Sequence, residues 1–180
     1  MISIRRAESK DALALARVAE STFRATFGST NSAENMAAHC RNSYSEEIQG
    51  SEIRNPDMIN LLCEREGELI GFAQLRWGQP PACVQAKRPG EIQRLYVVES
   101  AHGKGVAQAL MNACIEELQH RNFDAIWLGV WENNPRAIAF YRKIGFVEVG
   151  EHIFPLGGDP QRDVIMQRPI APAPPARQHQ

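Results

Sequence analysis

Residues 91–120 constrain the fold most. Ile92 to Val98 is a short apolar run of strand length. A turn holding Gly103 and Gly105 follows. From Gly103 to His120, Val106, Leu110, Met111, Cys114, Ile115 and Leu118 recur at helical spacing. A strand that feeds a helix through a glycine-bearing turn points several main-chain N–H groups into one concavity. The helix dipole adds positive potential there, so the turn suits an anionic group, above all a phosphate. Gly103 and Gly105 keep side chains out of that space, and Lys104 adds a charge.

The flanking sequence extends this unit. Ile2 to Arg5 alternates as a strand. Ser9 is placed to cap a helix with Leu13, Ala16, Val18 and Ala19 on its apolar side. Ser32 and Ser45 are N-caps for two short helices with acidic first turns. Met58 to Glu64 and Glu68 to Trp77 read as a hairpin through Arg65-Glu66-Gly67. Residues 78–90, rich in proline and glycine, read as a loop. Asp124 to Trp131 is a strand, and Pro135 to Lys143 a helix stopped before Gly145. Phe146 to Phe154 and Asp163 to Arg168 close the order as a strand pair. The result is a single α/β (α+β) domain over 1–168. The tail 169–180, PIAPAPPARQHQ, is expected to be disordered.

Composition excludes several classes. The formal net charge of -1 gives no basis for nucleic-acid binding by bulk charge. No apolar run approaches the ~20 residues of a membrane span, and MISIRRAESK lacks the apolar core of a signal peptide. Cys40, Cys63, Cys83 and Cys114 show no paired spacing, so reduced thiols in a cytoplasmic protein and no zinc site are expected. His39 and His152 have no ligand spacing either, and no metal is expected.

Two phosphate motifs fail on the residues. A Walker A loop needs Ser or Thr after Gly-Lys, and Lys104 is followed by Gly105. A dinucleotide fingerprint needs a third glycine at position 108, which is Gln. The stretch instead resembles the coenzyme A loop of the GNAT acetyltransferase superfamily, Gln/Arg-x-x-Gly-x-Gly/Ala, filled by His102, Gly105 and Ala107. His102 departs from the preferred Gln or Arg. A second element resembles the same superfamily: Asn134, Ala137, Tyr141, Gly145 and Phe146 fit Asn-x-x-Ala-x-x-x-Tyr-x-x-x-Gly-Phe. More narrowly, Phe23-x-x-x-Phe27, the segment from Asn31 to Met36, Glu91 to Val97 and Gly158-Asp-x-Gln-x-Asp163 resemble the bacterial spermine/spermidine N-acetyltransferase branch.

The resemblance implies a mixed sheet split between two parallel strands, 92–98 and 124–131, flanked by helices, with coenzyme A in the split. It implies main-chain contacts from Leu95, Tyr96 and Val97 to the pantetheine arm. A backbone N–H near Val97 would hold the thioester oxygen. It implies that His102, Gly103, Lys104, Gly105, Val106 and Ala107 cradle the pyrophosphate, and that Asn134 contacts the pantetheine or caps the helix at Pro135. Arg136 and Lys143 are further phosphate candidates. Tyr141 stands at the family's general-acid position, contacting the coenzyme. Glu91 stands six residues before Val97, the offset of the base in family histone acetyltransferases, and is the expected base. Gly129, five residues before Asn134, replaces the catalytic Glu of the family's N-terminal acetyltransferases.

The implied reaction is direct attack of a primary amine on acetyl-CoA in a ternary complex, with a polyamine as one acceptor class. A protein N-terminus, a lysine or an amino-sugar antibiotic stay open as acceptors, as does a non-catalytic acyl-CoA sensor. The acceptor side is expected from residues 20–55 and the strand 68–77, where Glu34, Glu46, Glu47 and Glu52 would attract a cation. The family also makes a homodimer an expectation.

Overall fold

A computed structural model of the protein describes residues 1–172. Alternation in the early strands sets the layers. In β2 (Met58–Arg65) and β3 (Glu68–Arg76), Ile59, Leu61, Ala73 and Leu75 face one side. Leu62 and Phe72 face the other. Both sides are therefore covered. Glu66 and Gly67, with φ of 55° and 83°, form the two-residue turn that matches the twist of such a hairpin.

The sheet has seven strands in the order β1-β2-β3-β4-β5-β7-β6. These add β1 (Ile2–Arg6), β4 (Pro89–Val97), β5 (Ala125–Trp131), β6 (Val147–Leu156) and β7 (Asp159–Pro169). Every neighbouring pair is antiparallel except β4 and β5. One face carries α4 (Val106–His120) and α5 (Pro135–Lys143), which pack Leu110, Met111, Cys114, Leu118 and Tyr141 against Ile92, Ile126 and Leu128. The other face carries α1 (Ala12–Phe27), α2 (Ala33–Ser43) and α3 (Glu46–Arg54), with Leu15, Phe23, Met36 and Tyr44 against Leu62, Phe72 and Trp131. Full burial of each large apolar side chain contributes ~1.5–3 kcal/mol.

A bulge in β4 matters for the site. Gln74 pairs with Arg94 but Leu75 pairs with Ile92, so Gln93 is an extra residue. Alternation is broken there, and Glu91, Arg94 and Tyr96 share the α1–α3 face while Ile92, Leu95 and Val97 share the α4 face.

Ser32 and Ser45 cap α2 and α3 by accepting the N–H of Asn35 and Ile48. Other expectations need correction. Ser9 does not cap α1. It opens a one-turn 3-10 helix closed by a reciprocal box between Glu8 and Asp11, and α1 starts at Ala12. Leu13 is exposed, because the buried stripe runs through Ala12, Leu15, Ala16, Ala19 and Phe23, from which position 13 is turned away. The loop before β4 is shorter than expected, since Pro89 to Glu91 already pair with Ala125 to Trp127. Asp159 joins the last strand through the turn at Gly157 and Gly158. Pro169 and Ile170, assigned to the tail, belong to the body: Ile170 is buried and donates its N–H to Asp124 O at 2.9 Å. The remainder of the tail from 173 lies outside the described residues.

Candidate active site

β4 and β5 pair only from Pro89 to Glu91, opposite Ala125 to Trp127, and then diverge. The split begins beyond that point. Val98 donates its N–H to Ile70 O at 2.9 Å, which sets which residues of β4 bond to β3. By alternation, Tyr96 spends its main-chain groups on β3, while Leu95 and Val97 turn theirs into the split. Of the three residues expected to present main chain there, two do. Tyr96 contributes its ring, stacked on Phe72 at 5.9 Å.

At the end of β4 the chain makes one short turn and reaches α4. Gly103 and Gly105 have φ of 72° and 78°, conformations that cost other residues about 1–2 kcal/mol. Among the described residues, no hydrogen bond uses the backbone N–H of residues 103–108. Six successive donors therefore lie free at a helix N-terminus, and no atom lies within 4 Å of where a Cβ would stand on Gly103 or Gly105. Lys104 bonds Ser100 O at 2.8 Å. His102 is exposed and bridges the two walls. Its Nε2 contacts Val97 O at 2.8 Å, and its Nδ1 meets the Arg136 guanidinium at 2.9 Å. A neutral ring with the proton on Nε2 satisfies both contacts.

Asn134 caps α5: its Oδ1 accepts the N–H of Ala137 at 3.2 Å. Tyr141, one turn from the helix end, is buried against Phe140 and Phe146. Burial, with Tyr96 and Cys114 nearby, pushes its phenol well above the ordinary range. The group stays an O–H at neutral pH, and no hydrogen bond among the described residues uses it.

The α1–α3 face of the split is polar. Glu91, the expected base, has both oxygens on Arg76, at 2.5 and 3.1 Å. Glu52 is likewise engaged, by Arg94 and Gln74, each at 2.8 Å. Arg94 lies over the Tyr44 ring at 5.1 Å. Glu34, Glu46 and Glu47 sit exposed in the first turns of α2 and α3. Farther along this face, Asp163 of β7 and His152 of β6 stand directly opposite each other in the ladder. A Cβ on Gly129 would sit 2.8 Å from His152 Cε1 and 3.1 Å from Asp163 Oδ2. Sequence reasoning gave no role to Arg76, Arg94, His152 or Asp163. Arg94 and Asp163 carried a signal, as members of the Glu91-to-Val97 and Gly158-to-Asp163 segments. Among the described residues no group of His, Cys, Asp and Glu is arranged to hold a metal, and no helix is long and apolar enough to cross a membrane.

Comparison with known protein families matches residues 20–146 to the acetyltransferase (GNAT) family. The chain belongs to that family. It is an N-acetyltransferase by kind, an acyl-transferring enzyme of the class that draws on acetyl-CoA. An uncharacterised N-acetyltransferase of the pepI 3′ region of Lactobacillus delbrueckii subsp. lactis is 29% identical over 169 residues, covering 94% of this chain and 98% of the relative. The spermine/spermidine N(1)-acetyltransferase of Bacillus subtilis is 33% identical over 89 residues, 48% of this chain and 57% of that protein. Among solved structures, the PaiA N-acetyltransferase of Thermoplasma acidophilum in complex with coenzyme A superposes with a TM-score of 0.77 at 24% identity, covering 94% of this chain and 99% of that one. The fold is thus the single-domain GNAT fold with its β4–β5 split.

Proposed function

We propose that this GNAT enzyme acetylates a primary alkylamine of polyamine type by direct attack on acetyl-CoA in a ternary complex. The observation that carries the reading is the run of six free N–H donors over residues 103–108 beside the split. The likeness to a structure holding coenzyme A and to a spermine/spermidine acetyltransferase supports it.

In this reading the donors of residues 103–108 hold the pyrophosphate, with Lys104, Arg136 and Lys143 adding charge around it. Main-chain groups of Leu95 pair with the pantetheine arm as an added strand would, while the Val97 carbonyl is held by His102. The N–H of Val97 faces the thioester oxygen and stabilises the charge that develops there. Asn134 offers its amide N–H groups while its oxygen caps α5. Tyr141 donates its O–H to the departing sulfur. Glu91 is held and neutralised by Arg76, and so shapes the acceptor face without being its base.

The test is release of free coenzyme A thiol by the pure protein given acetyl-CoA and, in turn, spermidine, putrescine, an Nα-blocked lysine, a short peptide and kanamycin. Thiol release with the alkylamines is expected. Coenzyme A binding without turnover of any amine would overturn the proposal and leave an acyl-CoA sensor.

A further inference from the structure

Asp163 is 7% exposed. Its Oδ1 is shut off from solvent and has no hydrogen-bond partner, and no cation pairs with either oxygen among the described residues. A buried carboxylate left in this state costs several kcal/mol. The other carboxylates on its face are satisfied: Glu91 by Arg76 and Glu52 by Arg94. Of the buried or half-buried carboxylates beside the split, Asp163 is the one that no guanidinium meets.

Its position is fixed with care. Trp131 of β5 and His152 of β6 flank it in the ladder. Trp131 donates Nε1–H to Gln161 at 3.0 Å, and Gln161 bonds Asp159 at 2.7 Å. Gly158 is tied to Asn35 of α2 at 3.2 Å. The Gly158-to-Asp163 motif therefore aims one carboxylate. Gly129 leaves the space above it open, since any side chain there would meet both His152 and Asp163.

We propose that Asp163 receives the ammonium group of the acceptor and takes its first proton. This rests on the acetyl-transfer reading above. The nitrogen loses two protons in all. The first passes to Asp163 and later to solvent, which frees the lone pair that forms the N–C bond. The second leaves nitrogen as the C–S bond breaks and makes good the proton that Tyr141 gives to sulfur. Desolvation raises the Asp163 pKa to about 6, nearer to neutrality than an ordinary carboxylate and so better suited to a base. The groups facing it are His152 of β6, which burial holds below its usual range, and Tyr96 of β4, whose phenol feels the Asp163 charge, while β5 presents Gly129 and Trp131.

The experiment compares wild type with Asp163→Asn, which keeps the shape and removes the charge. With the fastest amine of the panel, kcat/KM should fall ~100-fold or more, and the limb near pH 6 should vanish. The KM for acetyl-CoA should stay within about twofold, because the coenzyme half is untouched. Gly129→Ala should lower kcat/KM about tenfold with the same unchanged KM, by crowding the same space. Wild-type kcat/KM and pH profile in Asp163→Asn would overturn the proposal. If wild type turns over no amine, the acetyl-transfer reading falls. Calorimetry of the same amines on protein saturated with coenzyme A then decides the subsite. Binding lost in Asp163→Asn sustains it, and binding absent or unchanged overturns it.

Discussion

The turn that opens α4 and the face shared by β4, β5, β6 and β7 lie along one split, yet they are made of different material. The turn offers main-chain N–H groups from six consecutive residues. The face offers side chains from Glu52, Arg76, Glu91, Arg94, His152 and Asp163, which come from five separate elements. A ligand common to many enzymes can be held by backbone geometry, which tolerates exchange of most side chains. A ligand peculiar to one enzyme has to be recognised by side chains, and these can change one at a time. The contrast predicts that damage to the turn weakens coenzyme binding for every acceptor, and damage to the face alters acceptor use alone.

The largest effect should come where the halves meet. Tyr141→Phe is expected to lower kcat by ~100–1,000-fold and leave the acetyl-CoA KM unchanged, as for loss of one donor at a developing charge. Melting temperature should hardly move, since the hydroxyl has no partner among the described residues. A large loss of stability would show that the ring, not the hydroxyl, is what the fold uses. Next, Gly105→Glu forces a side chain onto a φ of 78° and sets a carboxylate at the phosphate site. Calorimetry should show the coenzyme A Kd rising roughly 100-fold, with a stability loss of only about 1–2 kcal/mol. Equal losses in binding and folding would break the comparison.

Asp163 supplies a stability test. Its folded pKa is about 6, raised from 3.8. Below about pH 3 both folded and unfolded states are protonated, and the group costs nothing. As pH rises toward about 6 the unfolded state ionises first, so stability falls by up to roughly 3 kcal/mol and then levels off. Asp163→Asn should therefore be more stable than wild type at pH 7.5 and equal to it at about pH 3, read by urea unfolding. No gain at pH 7.5 would mean that the carboxylate is satisfied in solution. The smallest effect is predicted for Glu91→Gln, with kcat/KM falling less than about fivefold, because Arg76 already occupies both oxygens. A fall of ~100-fold would restore Glu91 as the base.

The same contrast explains what was legible in the sequence. Gly103, Gly105, Asn134 and Tyr141 lie in two short windows, so the resemblance of each window to a family motif was enough to single them out. The strands and the caps at Ser32 and Ser45 were readable from local pattern. The start of α1 was not, because the box between Glu8 and Asp11 competes with a cap at Ser9. Asp163 and His152 were unreadable as a pair. Eleven positions separate them, and the β6–β7 register, counted from the turn at Gly157 and Gly158, sets them face to face. Arg76 could not be seen to neutralise Glu91 without the β3–β4 register.

Gln93 adds a constraint on how such a chain can vary in length. Its extra residue is what lets Glu91 and Arg94, three positions apart, point the same way. Deletion of that one residue would turn Glu91 toward the side of Leu118 and Cys114, and Ile92 toward the polar face. Substitutions along β4 can be absorbed one by one, but an insertion or deletion in it exchanges the inside of the molecule for the outside.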